Sequence, residues 1–365
     1  MMQKLLTVVV PSYNMEKYLP KCLGSLIVDD ERLFSMLDII VVNDGSKDRT
    51  SEIAHEFATR YPDVVRVIDK PNGHYGSCVN AALGVACGDY VRILDPDDWF
   101  GKEEFREFLT WLQAVEVVDA DLLLTDYELI DESDRTLESV KQPFPDGWVD
   151  ARRFFELASD KYYPALPGLT YRRSLLSAIS YRQTEGVPYT DAEWIVYPMV
   201  GVRKIACRHL CVYKYFRGRN DQTMSVESME RRWRVIDTKV MQKIVEESDR
   251  FHGLGSEDFR KYFRHSIKEI LTPIYEYGFL RGREVRFAGG AVGFDQYMRR
   301  NSQVATHVME SLLLPFLYGG RYLIRIPYVK LMHEGRSIMA RMFMSLWRVY
   351  ALSVKMRGLL WARKS

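Results

Sequence analysis

Three carboxylates close a hydrophobic run in Tyr90-Val-Arg-Ile-Leu-Asp95-Pro96-Asp97-Asp98-Trp99. Val91, Ile93 and Leu94 read as a strand buried in a parallel sheet, and the chain turns acidic where that strand must end. In open α/β sheets, ligands sit at the carboxyl ends of the strands. Three acids packed at such an end repel one another, and a cation relieves that repulsion. Aspartate is short and offers hard oxygens, so Asp-x-Asp-Asp suits Mg2+ or Mn2+. The same residues also make an ordinary solvated turn between a strand and a helix. What precedes them decides between the two.

Leu5–Val10 is a continuous, largely β-branched run, as expected of a strand covered on both faces. Pro11-Ser12-Tyr13-Asn14 ends it, and residues 15–26 carry helical spacing. Asp38–Val42 repeats the pattern and stops at Asn43-Asp44-Gly45-Ser46, before a helix over 47–60. Residues 64–68 make a third strand. The Gly-punctuated loop Asn72-Gly73-His74-Tyr75-Gly76-Ser77 leads into a helix over 78–87, and Gly88 closes it before the fourth strand. Four strands alternating with three helices predict an α/β fold with a doubly wound, mostly parallel sheet and right-handed crossovers. Beyond Trp99 come a helix over 102–114, a strand over 120–125, a loop-rich acidic stretch over 126–150, a short strand over 169–172, and an apolar β-like run over 212–216. From about residue 225 the pattern is long and amphipathic, with helices over 227–250 and 257–277. The spacing therefore divides the chain into residues 1–224 and a helical region, 225–365.

The chain is 47% hydrophobic over 365 residues, enough for a large core. Its net charge of +2 is uneven, with ten Lys/Arg and one acid, Glu334, between Arg321 and Ser365. Five cysteines without disulfide spacing fit a reducing cytoplasm. Cys207-Arg-His209-Leu-Cys211 invites a zinc site, against ordinary strand packing, but offers three ligands and no second pair nearby. No signal-peptide pattern precedes the first strand, and no run of about 18 apolar residues suggests a spanning helix. There is no G-x-G-x-x-G after the first strand and no Walker A sequence, which disfavours dinucleotide binding and P-loop chemistry. No recognisable module supports nucleic-acid binding.

Each early strand ends in a polar group suited to a nucleotide. Asp44, and with less support Asp69, could accept a hydrogen bond from a base N–H, and Tyr13 could stack on that base. Val9-Val-Pro11-Ser-Tyr13-Asn14, Ile40-Val-Val-Asn-Asp44-Gly-Ser-Lys-Asp48 and Leu94-Asp95-Pro-Asp97-Asp98 occur in an order and spacing that resemble family-2 glycosyltransferases. The likeness is close over residues 5–100 and readable to about 225. It implies a GT-A fold and a metal-dependent, inverting sugar transfer. By position, Asp44 would bind the base, most often uracil. Asp95 would lie near the ribose and share the metal with Asp97, the main ligand, while Asp98 would lie close to the donor sugar. Pro11, Tyr13, Asn14, Asn72 and Gly73 join the donor-binding set. The family's acid-acid pair carrying the catalytic base falls at Thr190-Asp191, so Thr replaces the first acid. Asp191 keeps the base position, with Glu193 as the fallback. Asn43 stands where Asp is usual. Arg217 and Arg219, in Arg217-Gly-Arg-Asn-Asp-Gln222, resemble the segment that closes over the donor diphosphate. The alternative for that loop is an exposed basic linker, and for His74 a helix cap in place of a donor contact.

These parts suit one reaction. A leaving diphosphate needs its charge neutralised, which a divalent cation does without proton transfer. An attacking hydroxyl needs a base on the opposite face of the sugar, a role that Asp191, opening a helix, could take. Between Ser337 and Leu360 an apolar stripe accompanies Arg341, Arg348 and Lys355 at seven-residue intervals. Residues 336–362 thus read as a basic amphipathic helix on an anionic membrane, on the cytoplasmic side, with docking on a partner as the alternative. The expected acceptor is a glycan or lipid-linked chain of a cell-surface polysaccharide. A homo-oligomer or assembly partners fit as well. The contrasting expectation is a decayed nucleotide-sugar-binding scaffold, favoured by Thr190 alone.

Overall fold

The computed structural model describes residues 3–311, apart from 115–116, 118, 160–161, 189, 218–234 and 280–282. The chain divides into two compact units, Met1–Gln222 with Gly255–Tyr262, and Thr223–Leu254 with Phe263–Ser365.

In the first unit, strands β1 (Leu6–Ser12) and β2 (Leu37–Asn43) are buried along their whole length. They pair in parallel from Leu6 opposite Leu37 to Ser12 opposite Asn43. β3 (Val65–Asp69) lies parallel on the far side of β2, and β4 (Tyr90–Ile93) parallel on the far side of β1. Helices α1 (Leu19–Ser25), α2 (Glu31–Ser35), α3 (Thr50–Arg60) and α4 (His74–Leu83) connect them. The winding direction reverses between β1 and β4, so the crevice at their carboxyl ends is the switch point where such sheets bind ligands.

Beyond β4 the sheet turns mixed. Its strand order is β3-β2-β1-β4-β9-β6-β10-β5, with β5 (Trp99–Phe100), β6 (Leu122–Ile130), β9 (Leu169–Arg172) and β10 (Ile205–Phe216). β9 runs antiparallel to both β4 and β6, whereas β10 runs parallel to β6. Parallel pairing thus holds for β1 to β4 and for the β6–β10 pair. The stretch 126–150 is more ordered than its composition suggests. β6 continues through it to Ile130, and β7 (Thr136–Val140) and β8 (Gly147–Val149) pair with β6 and β10. β7 is mostly exposed, so backbone pairing rather than a buried face holds it, and no apolar alternation marks it. Helices α5 (Lys102–Trp111), α6 (Ala151–Ala158), α7 (Arg173–Ala178) and α8 (Asp191–Val196) complete the unit.

The polar residues inside the sheet are paired. Asp38, 3% exposed, accepts from Thr7 Oγ1 at 2.8 Å, Cys87 N at 2.9 Å and Arg66 Nη2 at 2.5 Å. Thr7 Oγ1 in turn accepts from Gly88 N at 2.9 Å. This network fixes the turn that feeds β4, and through it the acid cluster. Arg92 on β4 is wholly buried, bonded to Thr170 Oγ1, Thr125 Oγ1 and the Pro167 carbonyl, with Phe100 and Phe108 against its guanidinium. Burial lowers its pKa to about 9.

In the second unit the expected helix over 227–250 begins later. Residues Val235–Asp237 form a strand parallel to Glu284–Arg286, and the helix is Lys239–Leu254. Thr238 explains the switch: it is buried, and its hydroxyl donates to the Arg286 carbonyl at 3.0 Å. Asp295, buried on helix Gly290–Asn301, accepts from Tyr275 at 2.6 Å and pairs with Arg299 at 2.9 Å. Among the described residues no helix is long and apolar enough to cross a membrane. The basic stretch 336–362 lies outside the described residues.

A Cβ on Gly88 would stand 2.3 Å from Thr7 N and 2.6 Å from Leu6 C, both backbone atoms that cannot yield. Gly88→Ala should therefore cost at least about 1–3 kcal/mol in urea unfolding. Wild-type stability in that variant would contradict the tight seating of β4 on β1.

Candidate active site

The carboxyl ends of β1, β2 and β4 meet through side-chain bonds between loops. After β1, Asn14 adopts a left-handed backbone at φ 54°, which Asn tolerates better than most residues. Its Oδ1 accepts from Lys47 N at 2.8 Å and its N–H donates to Ser46 Oγ at 3.0 Å, tying the first strand end to the second. Pro11 is buried, and Tyr13 stands 46% exposed beside it. Asn43 donates from Nδ2 to Asp69 Oδ1 at 2.7 Å and accepts from Ser46 N at 3.1 Å. An aspartate could not make the first bond and would face Asp69 with like charge, which accounts for Asn here. Asp69 also accepts from Ser51 at 2.8 Å and pairs with His55 at 2.7 Å, and these bonds hold its carboxyl below the usual range.

Asp44 is 2% exposed and accepts on Oδ1 from Lys70 Nζ at 2.6 Å and from Gly73 N at 2.9 Å. Gly45 follows at φ +72°, and a Cβ there would lie 3.0 Å from Asn72 N. Asp44 therefore anchors the loop that carries Asn72 and Gly73. His74 begins α4 at φ 63°, and its carbonyl accepts from Ser77 Oγ at 2.7 Å, so its backbone serves the helix start.

In the acid cluster, Asp95 and Asp97 are half-buried, whereas Asp98 is 1% exposed. Asp98 accepts from Tyr213 Oη at 2.6 Å and from Phe216 N at 2.7 Å. Burial, then the charges of Asp97 and Asp95, push its pKa well above the carboxylate range. Asp95 N donates to Tyr213 Oη at 3.1 Å, and Asp95 Oδ1 accepts from Tyr75 Oη at 2.9 Å. Burial foremost, then Asp95, raises the Tyr75 pKa, with Asp191 also within electrostatic reach. Arg217 follows β10, exposed, its N–H on the Ile130 carbonyl at 2.6 Å. Arg219 lies outside the described residues.

Asp191 is exposed at the first turn of α8, and Glu193 is buried. Glu193 accepts from Thr184 N at 2.7 Å and Thr184 Oγ1 at 2.6 Å, so its carboxylate is engaged in holding the approach to α8. Thr190 is fully buried, its hydroxyl 3.3 Å from Gln183 Oε1, where an acid would place a second charge out of water. The segment 183–186 is bound to α4: Gln183 N donates to Asn80 Oδ1 at 2.8 Å, and Gly186 N to the Gly73 carbonyl at 2.8 Å. Sequence reasoning assigned no role to Tyr75, Tyr213 or Lys70. Tyr75 sat visibly in the Gly-punctuated loop, but Tyr213 depends on irregular register in β10 between Arg208 and Tyr213, which no pattern announces. In the Cys207–Cys211 stretch β10 buries Cys207, while His209 pairs with Asp126.

Residues 7–177 match the family described as "Glycosyl transferase family 2". An uncharacterised glycosyltransferase of Mycoplasma pneumoniae is 38% identical over 104 residues, 28% of this chain and 34% of that protein. The minor teichoic acid biosynthesis protein GgaB of Bacillus subtilis is 35% identical over 105 residues, 29% of this chain and 12% of its own. The chain thus matches about a third or less of the length of these relatives. The crystal structure of S. aureus TarS 1-349 in complex with UDP-GlcNAc superposes with a TM-score of 0.62 at 18% identity, over 96% of this chain and 92% of that one. That likeness speaks for the fold.

Asp98 yields a pH test. Its folded pKa is raised, so the stability it confers is present below the ordinary carboxylate value of about 3.9 and is lost as pH rises through the raised one. In chelator, the stability of wild type minus that of Asp98→Asn should fall across this window, by at most about 1.4 kcal/mol per pH unit. A difference that stays flat or grows would contradict the crowding of the cluster.

Proposed function

We propose, from the match of residues 7–177 to glycosyl transferase family 2, that the chain moves a sugar from a nucleotide diphosphate sugar, by preference a uridine one, to an acceptor hydroxyl. The acceptor is a glycan or lipid-linked chain in cell-surface polysaccharide synthesis, and transfer inverts the anomeric carbon. The observation that carries this proposal is that Tyr75 donates to Asp95 Oδ1 at 2.9 Å while the adjoining Gly76 packs on the segment 183–186 that leads to Asp191. The loop before α4 thus adjoins both the acid cluster and the approach to α8.

The donor set fits Mg2+ or Mn2+. Such ions commonly take one or two protein carboxylates and fill the remaining positions with phosphate oxygens and water, so no all-protein cage is needed. Asp97 and Asp95 supply half-buried hard oxygens, and the crowding that raises the Asp98 pKa is what a nearby cation would offset. A bound divalent cation would neutralise charge on the leaving diphosphate. Asp44, with the loop it anchors, holds the base, and Tyr13 offers a face for stacking. Arg217 stands at the end of β10 for a phosphate oxygen, with Arg219 assigned from the sequence alone. Asp98 keeps the turn closed on Tyr213 and Phe216 beside the donor sugar. Asp191 takes the proton of the acceptor hydroxyl as it attacks from the face opposite the leaving group, which inverts the centre. Its exposure suits a base that must meet an incoming acceptor. Glu193, buried on Thr184, is better suited to positioning. Thr190 packs as a buried residue and leaves Asp191 in place, which argues against a decayed scaffold.

The name of the B. subtilis relative supports a cell-envelope polymer as the product class. A cytoplasmic, membrane-peripheral location rests on the basic stretch 336–362.

Asp191→Asn should lower transfer about 10²–10⁴-fold while the donor still binds, measured by product release and calorimetry across uridine and guanosine diphosphate sugars with Mn2+. Full transfer activity would remove Asp191 from the base role. Asp97→Ala should abolish the Mn2+-dependent activity, and activity surviving both this change and chelation would end the metal assignment. Deleting residues after Gly335 should release the protein from anionic liposomes, and unchanged binding would discard the membrane helix.

A further inference from the structure

Tyr75 stands where two independently braced segments meet. On one side, the loop before α4 is pinned through Gly73 N to Asp44 at 2.9 Å. On the other, Gly76 presses so closely on segment 183–186 that a Cβ would lie 2.1 Å from the Thr184 carbonyl oxygen. Between these contacts the ring of Tyr75 has little freedom, and its hydroxyl ends 2.9 Å from Asp95 Oδ1. The carboxylate oxygen can only accept, so the phenol is the donor.

Asp95 lies two residues before Asp97 and three before Asp98. A lysine or arginine at this point would form an ion pair and compete with a divalent cation for the same carboxylate. A hydrogen bond from a phenol fixes the carboxylate's orientation without bringing a charge of its own.

We propose that Tyr75 is a positioning residue that sets Asp95 for cation-dependent diphosphate binding, and that it couples this setting to the segment leading to Asp191. The proposal rests on the transferase function inferred above. It makes Tyr75 matter to the cation-bridged part of donor binding and not to recognition of the base, which Asp44 serves.

The experiment is calorimetric titration with uridine diphosphate, with Mn2+ and in chelator, of wild type, Tyr75→Phe, Asp95→Asn and the double variant. Tyr75→Phe keeps the ring and removes one hydroxyl. Its affinity for uridine diphosphate with Mn2+ should fall about tenfold to a hundredfold, as expected for losing a hydrogen bond to a charged group. Binding in chelator should stay at the wild-type level. In the Asp95→Asn background, Tyr75→Phe should add little, because the interaction is already broken. Equal losses with and without Mn2+, additive effects in the double variant, or a melting temperature far below wild type would assign the hydroxyl a merely structural role and overturn the proposal. So would unchanged affinity in Tyr75→Phe. Those outcomes leave the transferase reading standing, whereas a wild type that does not bind uridine diphosphate with Mn2+ at all overturns that reading and this proposal together.

Discussion

Repulsion among Asp95, Asp97 and Asp98 is the constraint around which the site is arranged. Three carboxylates within four residues, one of them almost wholly buried, are unfavourable without compensation. The fold supplies partial compensation from neutral donors: Tyr75 to Asp95, and Tyr213 and the Phe216 amide to Asp98. No lysine or arginine pairs with Asp98 in these bonds. These bonds hold the cluster in shape.

The same constraint explains why distant elements converge here. Tyr213 comes from β10, on the far side of the mixed sheet from β1, and the irregular register of that strand helps set where its hydroxyl falls. The end of β4 also depends on its beginning, where Thr7, Asp38 and Gly88 lock the entering turn. Buried Arg92 lies on the same short strand, held by hydroxyls, a carbonyl and aromatic faces. Its charge is desolvated without a carboxylate partner in those bonds, so β4 carries electrostatic cost in its middle as well as at its end. Such costs are tolerated where function requires them.

Much of the donor half was legible in the sequence because its signals are local. β1 and β2 are unbroken apolar runs ending in polar turns, and their burial on both faces follows from that pattern. The acid cluster was likewise visible as a break in hydrophobicity. The second half was harder. β7 is solvated and held by backbone pairing, so its side chains carry no apolar alternation. The strand at Val235–Asp237 depends on a partner at Glu284–Arg286, almost fifty residues away. Glu193 shows the limit most clearly. As a first-turn acid near Asp191 it reads as solvated or catalytic, yet it is buried against Thr184, and only the folded path of segment 183–186 reveals this. Asn43 and Thr190, which looked like losses relative to acids, become intelligible through their neighbours Asp69 and Gln183.

The central claim is that the cluster at the end of β4 receives a divalent cation together with a nucleotide diphosphate. Anomalous diffraction from crystals grown with Mn2+ and uridine diphosphate tests it most directly. The account predicts a Mn2+ peak at coordination distance, about 2 Å, from the Asp97 carboxylate and bridged to the diphosphate. A diphosphate bound at the β1–β4 crevice with no Mn2+ at Asp97, or with Mn2+ held by other residues, would contradict it.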